Sequence, residues 1–265
     1  MHGKCALVTG GARRLGAEIA KGLAADGYFI ILHYHRSHQA AEQVAHDIAD
    51  AGGQCGLLRA DLTNRNDVAG LISSCAARFH LPTLLVNNAS SYHYDSAVSL
   101  PDEAWDANIA TNLHAPLLLS HALYLALRPA AGAIVNLLDF KVTSLNPDYF
   151  SYTVAKAGLA AATRMMAMAF KGVVRVNGVA PGLTMRSGRQ DERQFEQAWS
   201  MTPLGRGPSP AEIAGAVRYA AATRSLNGQI LVLDGGASLA PRARDISVDE
   251  AALEHDRFKL AQPEA

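Results

Sequence analysis

Short apolar runs alternate along the chain with longer stretches in which apolar residues recur every three or four positions. Ala6-Leu7-Val8 is the first run, and Leu15, Ile19 and Leu23 follow at helical spacing as far as Ala25. The alternation continues with strands at 28–34, 56–59, 84–86, 133–138, 173–179 and 229–233. Between them the spacing predicts helices over about 37–51, 67–79, 102–127, 149–170 and 210–223. Near-continuous apolar strands separated by helices mean a parallel sheet covered on both faces. Right-handed crossovers then make it a single-domain, Rossmann-like, doubly wound parallel α/β sheet of about seven strands. No internal repeat or linker divides residues 1–240.

Two segments fall outside this rhythm. Residues 182–208 are polar, carry four arginines, and follow a strand end where such folds bind ligands. They read as a substrate loop that closes as a lid. Residues 241–265 form a C-terminal extension of open role, in which Ser247-x-x-Glu250 is a capping-box pattern predicting a short helix over 248–260.

Composition narrows the class of protein. Hydrophobic residues make up 49% of the 265 and charged ones 18%, below the roughly 25% of an average soluble domain, which argues against disorder. Lys plus Arg and Asp plus Glu are 24 each, so no basic surplus points to nucleic acid or an anionic membrane. The start lacks a secretory pattern, and no apolar run reaches the roughly 18–20 residues of a membrane span. Cys5, Cys55 and Cys75 are widely separated and lack metal-ligand spacing. A cytoplasmic, metal-free protein is the expectation.

The chemistry concentrates at strand ends. Thr9-Gly10-Gly11-Ala12-Arg13-Arg14-Leu15-Gly16 joins the first strand to the first helix, where glycines let the backbone approach a pyrophosphate at a helix N-terminus. Arg14 sits where a cation opposes the helix dipole, so a ligand is the better reason for it than solvation. The second strand ends in His33-Tyr34-His35-Arg36-Ser37. An acidic residue there would select NAD, whereas Arg36, Ser37 and the nearby Arg13 suit the 2′-phosphate of NADPH. Asp61, before Leu62 at the end of the third strand, can cap a helix beginning near Thr63. Tyr152 and Lys156 lie four apart on one helical face, so an ammonium beside the phenol should favour the phenolate.

Together the glycine turn, Asn87-Asn88-Ala89-Ser90, Tyr152-x-x-x-Lys156, Pro181-Gly182 and Asp234-Gly235-Gly236 resemble the short-chain dehydrogenase/reductase family over almost all of residues 4–236. That resemblance implies that Gly10, Leu15, Gly16, Asn88, Ala89, Pro181 and Gly182 line the cofactor, that Asp61 and Leu62 meet its adenine, that Lys156 also binds the nicotinamide ribose, and that Asn112 holds a water of a proton relay. Two departures set this chain apart: Arg14 stands where the family usually has glycine, and Asp139 stands where it usually has serine, thirteen residues before the tyrosine. An ionised carboxylate cannot donate a hydrogen bond, but burial can keep it protonated and able to relay a proton with Tyr152.

Arg14, His35-Arg36-Ser37, Asn88-Ala89-Ser90 and Asp139–Tyr152–Lys156 occur together in the pteridine reductase branch, dihydromonapterin reductase-like members included. The resemblance implies NADPH-dependent reduction of a dihydropterin or folate, the ring stacked on Tyr92 and touched by Arg14, Ser90, Asp139 and Tyr152. Tyr149 is either a pocket residue or the start of its helix. It also implies a homotetramer built through the helices near 102–127 and 149–170. The competing expectations are a carbonyl or 3-oxoacyl reductase and a catalytically silent NADPH-binding regulatory protein.

Overall fold

Alternate side chains of each strand feed opposite faces of one sheet, and each face is closed by its own helices. The computed structural model describes residues 3–186, 192–240 and 242–245. The elements run β1 (Cys5–Val8), α1 (Arg14–Ala25), β2 (Phe29–Tyr34), α2 (His38–Asp50), β3 (Gln54–Arg59), α3 (Arg65–Arg78), β4 (Leu84–Asn87), α4 (Asp102–Ile109), α5 (Ala115–Leu127), β5 (Gly132–Leu137), α6 (Phe150–Ala169), β6 (Val174–Pro181), α7 (Glu192–Ser200), α8 (Pro210–Ala222) and β7 (Ile230–Leu233). The sheet order is β3-β2-β1-β4-β5-β6-β7, with every described pairing parallel. It is a single Rossmann-like α/β domain of seven strands.

Val8, Leu32, Val86 and Val135 point to the face covered by Ile19 and Leu23 of α1, Val44 and Ile48 of α2, and Ile213 and Val217 of α8. Leu7, Ile31, Leu85 and Ile134, each one residue out of phase, point the other way, onto Leu71 and Ile72 of α3 and Leu119 and Leu123 of α5. Each such burial contributes about 1.5–3 kcal/mol, so the period-two pattern sets which way every strand faces. The order reverses between β1 and β4, and the crevice at their carboxyl ends is the ligand position of this architecture.

Three details differ from the sequence expectations. The helix expected over 102–127 is α4 and α5 joined by a π-helical turn, Ala110–His114, which inserts an extra residue and turns Asn112 inward. Asn64, not Asp61, caps α3: its side chain accepts from Asn66 N and Asp67 N. The 182–208 segment is not all loop, because α7 lies within it. The helix expected over 248–260 lies outside the described residues. Among those residues, no helix is long and apolar enough to cross a membrane.

Candidate active site

The β1–α1 turn is built by close backbone contact. Gly10 has φ +63°, and a Cβ there would fall 2.9 Å from Ala89 Cα; a Cβ on Gly16 would lie 2.2 Å from Gly10 O. Both positions therefore exclude side chains. Asn88 stitches the turn from β4, donating from Nδ2 to Thr9 O at 2.8 Å and Gly10 O at 3.1 Å. Thr9 Oγ1 accepts from Asn88 N and Ala89 N, both at 3.0 Å. His33, absent from the sequence-derived site, holds the other side. Its Nδ1 accepts from Gly10 N at 3.1 Å, and its Nε2 lies 3.2 Å from Ala60 O. Only the neutral ring with the proton on Nε2 satisfies both contacts, and burial pushes the ring's pKa down to about 4, keeping it neutral.

Arg14 occupies the left-handed region at φ +54°, where a side chain is strained. Its guanidinium crosses the cleft to donate to Arg186 O at 2.9 Å and Met185 O at 3.3 Å, beyond β6. Arg13 is the N-cap residue of α1, with no acidic residue in the first turn to offset it.

A cavity of about 870 Å³ opens over this turn. At one end lie His35, Asp61 and Leu62. Asp61 Oδ1 accepts from Thr63 N and Oγ1 at 2.9 and 2.8 Å, and its Oδ2 lies 3.5 Å from His35 Nε2. Burial raises the Asp61 pKa, but the Thr63 hydrogen bonds and the His35 and Arg36 charges outweigh it and hold the carboxyl ionised. Arg36 is exposed at the end of β2, and Ser37, the N-cap residue of α2, leaves its hydroxyl uncommitted to the helix. Both stand at the rim rather than in the lining.

At the other end the catalytic candidates converge. Tyr152 OH donates to Asp139 Oδ2 at 2.8 Å, and Lys141 N donates to Asp139 Oδ1 at 2.9 Å. Lys156 Nζ donates to Leu137 O at 2.7 Å and lies 5.6 Å from the Tyr152 ring centroid. Helix α6 carries both residues, and its first turn is anchored from outside: Asp95 Oδ1 and Oδ2 accept from Ser151 N at 3.1 and 3.3 Å. Burial raises the Asp139 pKa above the usual carboxylate range, despite the Lys141 N–H, the Tyr152 hydroxyl and two lysine charges. Tyr152 runs opposite to the sequence expectation. Burial first, then the Asp139 charge, pushes its pKa well above 10, so the phenol is the resting form. Burial also brings Lys156 down to about 8. The arrangement is a largely buried proton-holding pair backed by an ammonium that stays charged at neutral pH.

Tyr92 forms an aromatic platform over this pair, stacked on Tyr149 at 4.0 Å and 12°, with Tyr152 edge-on at 4.7 Å. Tyr149 is thus both alternatives in part: N-cap of α6 at φ +53°, and a buried backing for Tyr92 outside the lining. Asn112, expected to hold a water, commits its side chain to protein partners. Its Oδ1 accepts from Ser90 Oγ at 2.8 Å and Ser91 N at 3.3 Å, and its Nδ2 donates to Ser91 O at 2.7 Å and Asn108 O at 2.9 Å. With both donors and both lone pairs engaged, the side chain fixes the 90–91 segment. The mouth is closed by Met185, by Ala198 and Met201 in and just after α7, and by Arg242, Arg244 and Asp245 of the extension. Sequence reasoning gave no role to these last residues.

Fold, glycine turn and Tyr–Lys pair define an NAD(P)-type oxidoreductase, and the chain belongs to the short-chain dehydrogenase/reductase family. The matching family model is described as enoyl-(acyl carrier protein) reductase and covers residues 10–238. A solved structure, FolM alternative dihydrofolate reductase 1 of Brucella canis complexed with NADP, is 40% identical, covers 92% of this chain and 97% of its own, and superposes with a TM-score of 0.86. The protein of the same name from Brucella suis, also solved with NADP, gives 40% identity and a TM-score of 0.86, over 90% of this chain and 96% of its own. Among curated proteins, the 3-oxoacyl-[acyl-carrier-protein] reductase of Synechocystis sp. is 33% identical over 237 residues, 87% of this chain and 95% of that protein.

Proposed function

We propose that the protein is an NADPH-dependent reductase of a dihydropterin or dihydrofolate. The single observation that carries this reading is Asp139, a half-buried carboxyl with a raised pKa, 2.8 Å from the Tyr152 hydroxyl in the place of a carbonyl-orienting serine. A dihydropterin contains a C=N bond whose reduction puts a hydride on carbon and a proton on nitrogen. A ketone also takes one proton, on its oxygen, which a serine–tyrosine pair can serve; the more basic ring nitrogen suits the carboxylic acid that a protonated Asp139 provides.

The residues present fit the dinucleotide. The side-chain-free contacts at Gly10 and Gly16 leave the α1 N-terminus open for a pyrophosphate. Arg13, Arg36 and the Ser37 hydroxyl suit a 2′-phosphate. Lys156 would hold the nicotinamide ribose, and Asn88 and Ala89 would back it. When bound, NADPH supplies the hydride. Tyr92 stacks the pterin ring, while Ser90 and Arg14 orient it. With Asp139 protonated on Oδ2, the contact to Tyr152 runs as donation from the acid, and the proton passes from this pair to the ring nitrogen. The carboxylate left behind is reprotonated from solvent.

The curated relatives favour a second reading, reduction of a 3-oxoacyl thioester. Purified protein with NADPH is tested against a dihydropterin, dihydrofolate and a 3-oxoacyl thioester by loss of NADPH absorbance. Turnover of the first two with little of the third supports the proposal; turnover of the thioester alone overturns it.

A further inference from the structure

A buried ion-pair network ties the C-terminal segment to the catalytic carboxyl. Lys141 lies two residues beyond Asp139 on a short 3-10 turn, Phe140–Val142, and its side chain is 2% exposed. Its Nζ meets Asp245 Oδ2 at 2.5 Å, and otherwise donates to the neutral acceptors Asp148 O at 3.1 Å and Asn146 Oδ1 at 3.3 Å. Asp245 is itself held in place. Its N donates to Asp148 Oδ2 at 2.7 Å, and Arg244 Nε donates to the same oxygen at 2.9 Å while its second nitrogen reaches Oδ1. Burial pushes the Asp148 pKa up, but the Arg244 and Asp245 hydrogen bonds prevail and keep it ionised. Residues 242–245 are thus strapped onto the wall of the catalytic cavity.

The strap matters because of what else faces Asp139. Tyr152 and Lys156 approach it from α6, and Lys141 from the 3-10 turn, so two ammonium groups act on one carboxyl. Asp245 brings the opposing negative charge from the C-terminal segment, and its charge also reaches Tyr152. Without it, both cations would draw Asp139 toward the ionised form, which accepts hydrogen bonds but cannot donate them.

We propose that Asp245 is a positioning residue of the active site: by neutralising the Lys141 ammonium it keeps the transferable proton on the Asp139–Tyr152 pair. The proposal rests on the reading of Asp139 as proton donor to a dihydropterin.

Two readouts separate its failure from failure of that reading. In the pH profile of kcat/KM for dihydropterin, Asp245→Asn should move the limb that falls with rising pH to lower pH by about one unit, tenfold in the protonated fraction. Activity should recover in acid, and Asp245→Glu should restore the limb. The double variant Lys141→Gln/Asp245→Asn, which removes the cation along with its partner, should also return the limb toward wild type. Infrared spectroscopy of the substrate-free protein gives the second readout. The protonated-carboxyl band that Asp139→Asn abolishes should vanish at lower pH in Asp245→Asn than in wild type, whatever the substrate is. An Asp245→Asn profile lowered equally at every pH, an unmoved infrared titration, or a double variant no better than the single one would overturn the proposal.

Discussion

Replacing Arg14 by the glycine usual in the family should separate stability from function. At φ +54° an L-residue is strained by about 1–2 kcal/mol, and glycine removes that strain. The change also removes a cation from the positive end of α1, worth about 0.3–1 kcal/mol. Against these stand about 0.4–1 kcal/mol for the freer unfolded chain and about 1 kcal/mol for the hydrogen bonds to Arg186 O and Met185 O, which are exposed. The balance is close to zero or slightly stabilising. Function should move the other way, since a lost charge-assisted contact of about 1.5–3 kcal/mol lowers kcat/KM roughly ten- to hundredfold. Urea unfolding and steady-state kinetics on Arg14→Gly check both arms. Destabilisation beyond about 2 kcal/mol would make Arg14 a structural residue; an unchanged kcat/KM would remove it from the site.

Arg36→Asp should shift preference from NADPH toward NADH, read as the ratio of kcat/KM for the two cofactors; an unchanged ratio would free Arg36 from the 2′-phosphate. Lys156→Met should raise stability at pH 7. The folded value near 8 lies below the unfolded 10.5, so the buried charge costs about 3 kcal/mol below pH 8, partly offset by the bond to Leu137 O. The unfolded chain binds the extra proton between these values, so the variant's advantage should shrink as pH rises from about 8 to about 10.5; unfolding curves across that range read it. Asn112→Ala should lower stability by about 1–3 kcal/mol, because four hydrogen bonds to Ser90, Ser91 and Asn108, one buried and three partly so, lose their partner, and should raise KM for the stacked substrate.

Much of this was legible in the chain because it is carried by periodicity and by local motifs. All seven strands fall within a few residues of their apolar runs, and the glycine turn, Asp139, Tyr152 and Lys156 meet around one cavity. What escaped depends on single hydrogen bonds or on distant chain. A one-residue π insertion leaves the helical pattern of 102–127 intact, so the inward turn of Asn112 leaves no trace in it. Asp61, Thr63 and Asn64 are all capping residue types, and only geometry chooses Asn64. His33 sits in an apolar strand like any core residue, yet it anchors Gly10. Helix α7 is short and mostly polar, and it is fastened by a brief apolar face, Phe195, Ala198 and Trp199, together with Trp199 Nε1 on Leu183 O at 2.5 Å. Arg244 and Asp245 fall in an extension whose role the sequence leaves open, because their partners Asp148 and Lys141 lie about a hundred residues earlier.

The central claim is that Asp139 makes this site a pterin reductase rather than a carbonyl reductase, and Asp139→Ser tests it most directly. NADPH oxidation by wild type and variant is measured with dihydropterin and with a 3-oxoacyl thioester, alongside NADPH affinity. We expect dihydropterin turnover to fall at least a hundredfold, roughly the scale of a lost general acid, with NADPH affinity kept and thioester reduction unchanged or improved. Dihydropterin turnover that survives the substitution would contradict the account.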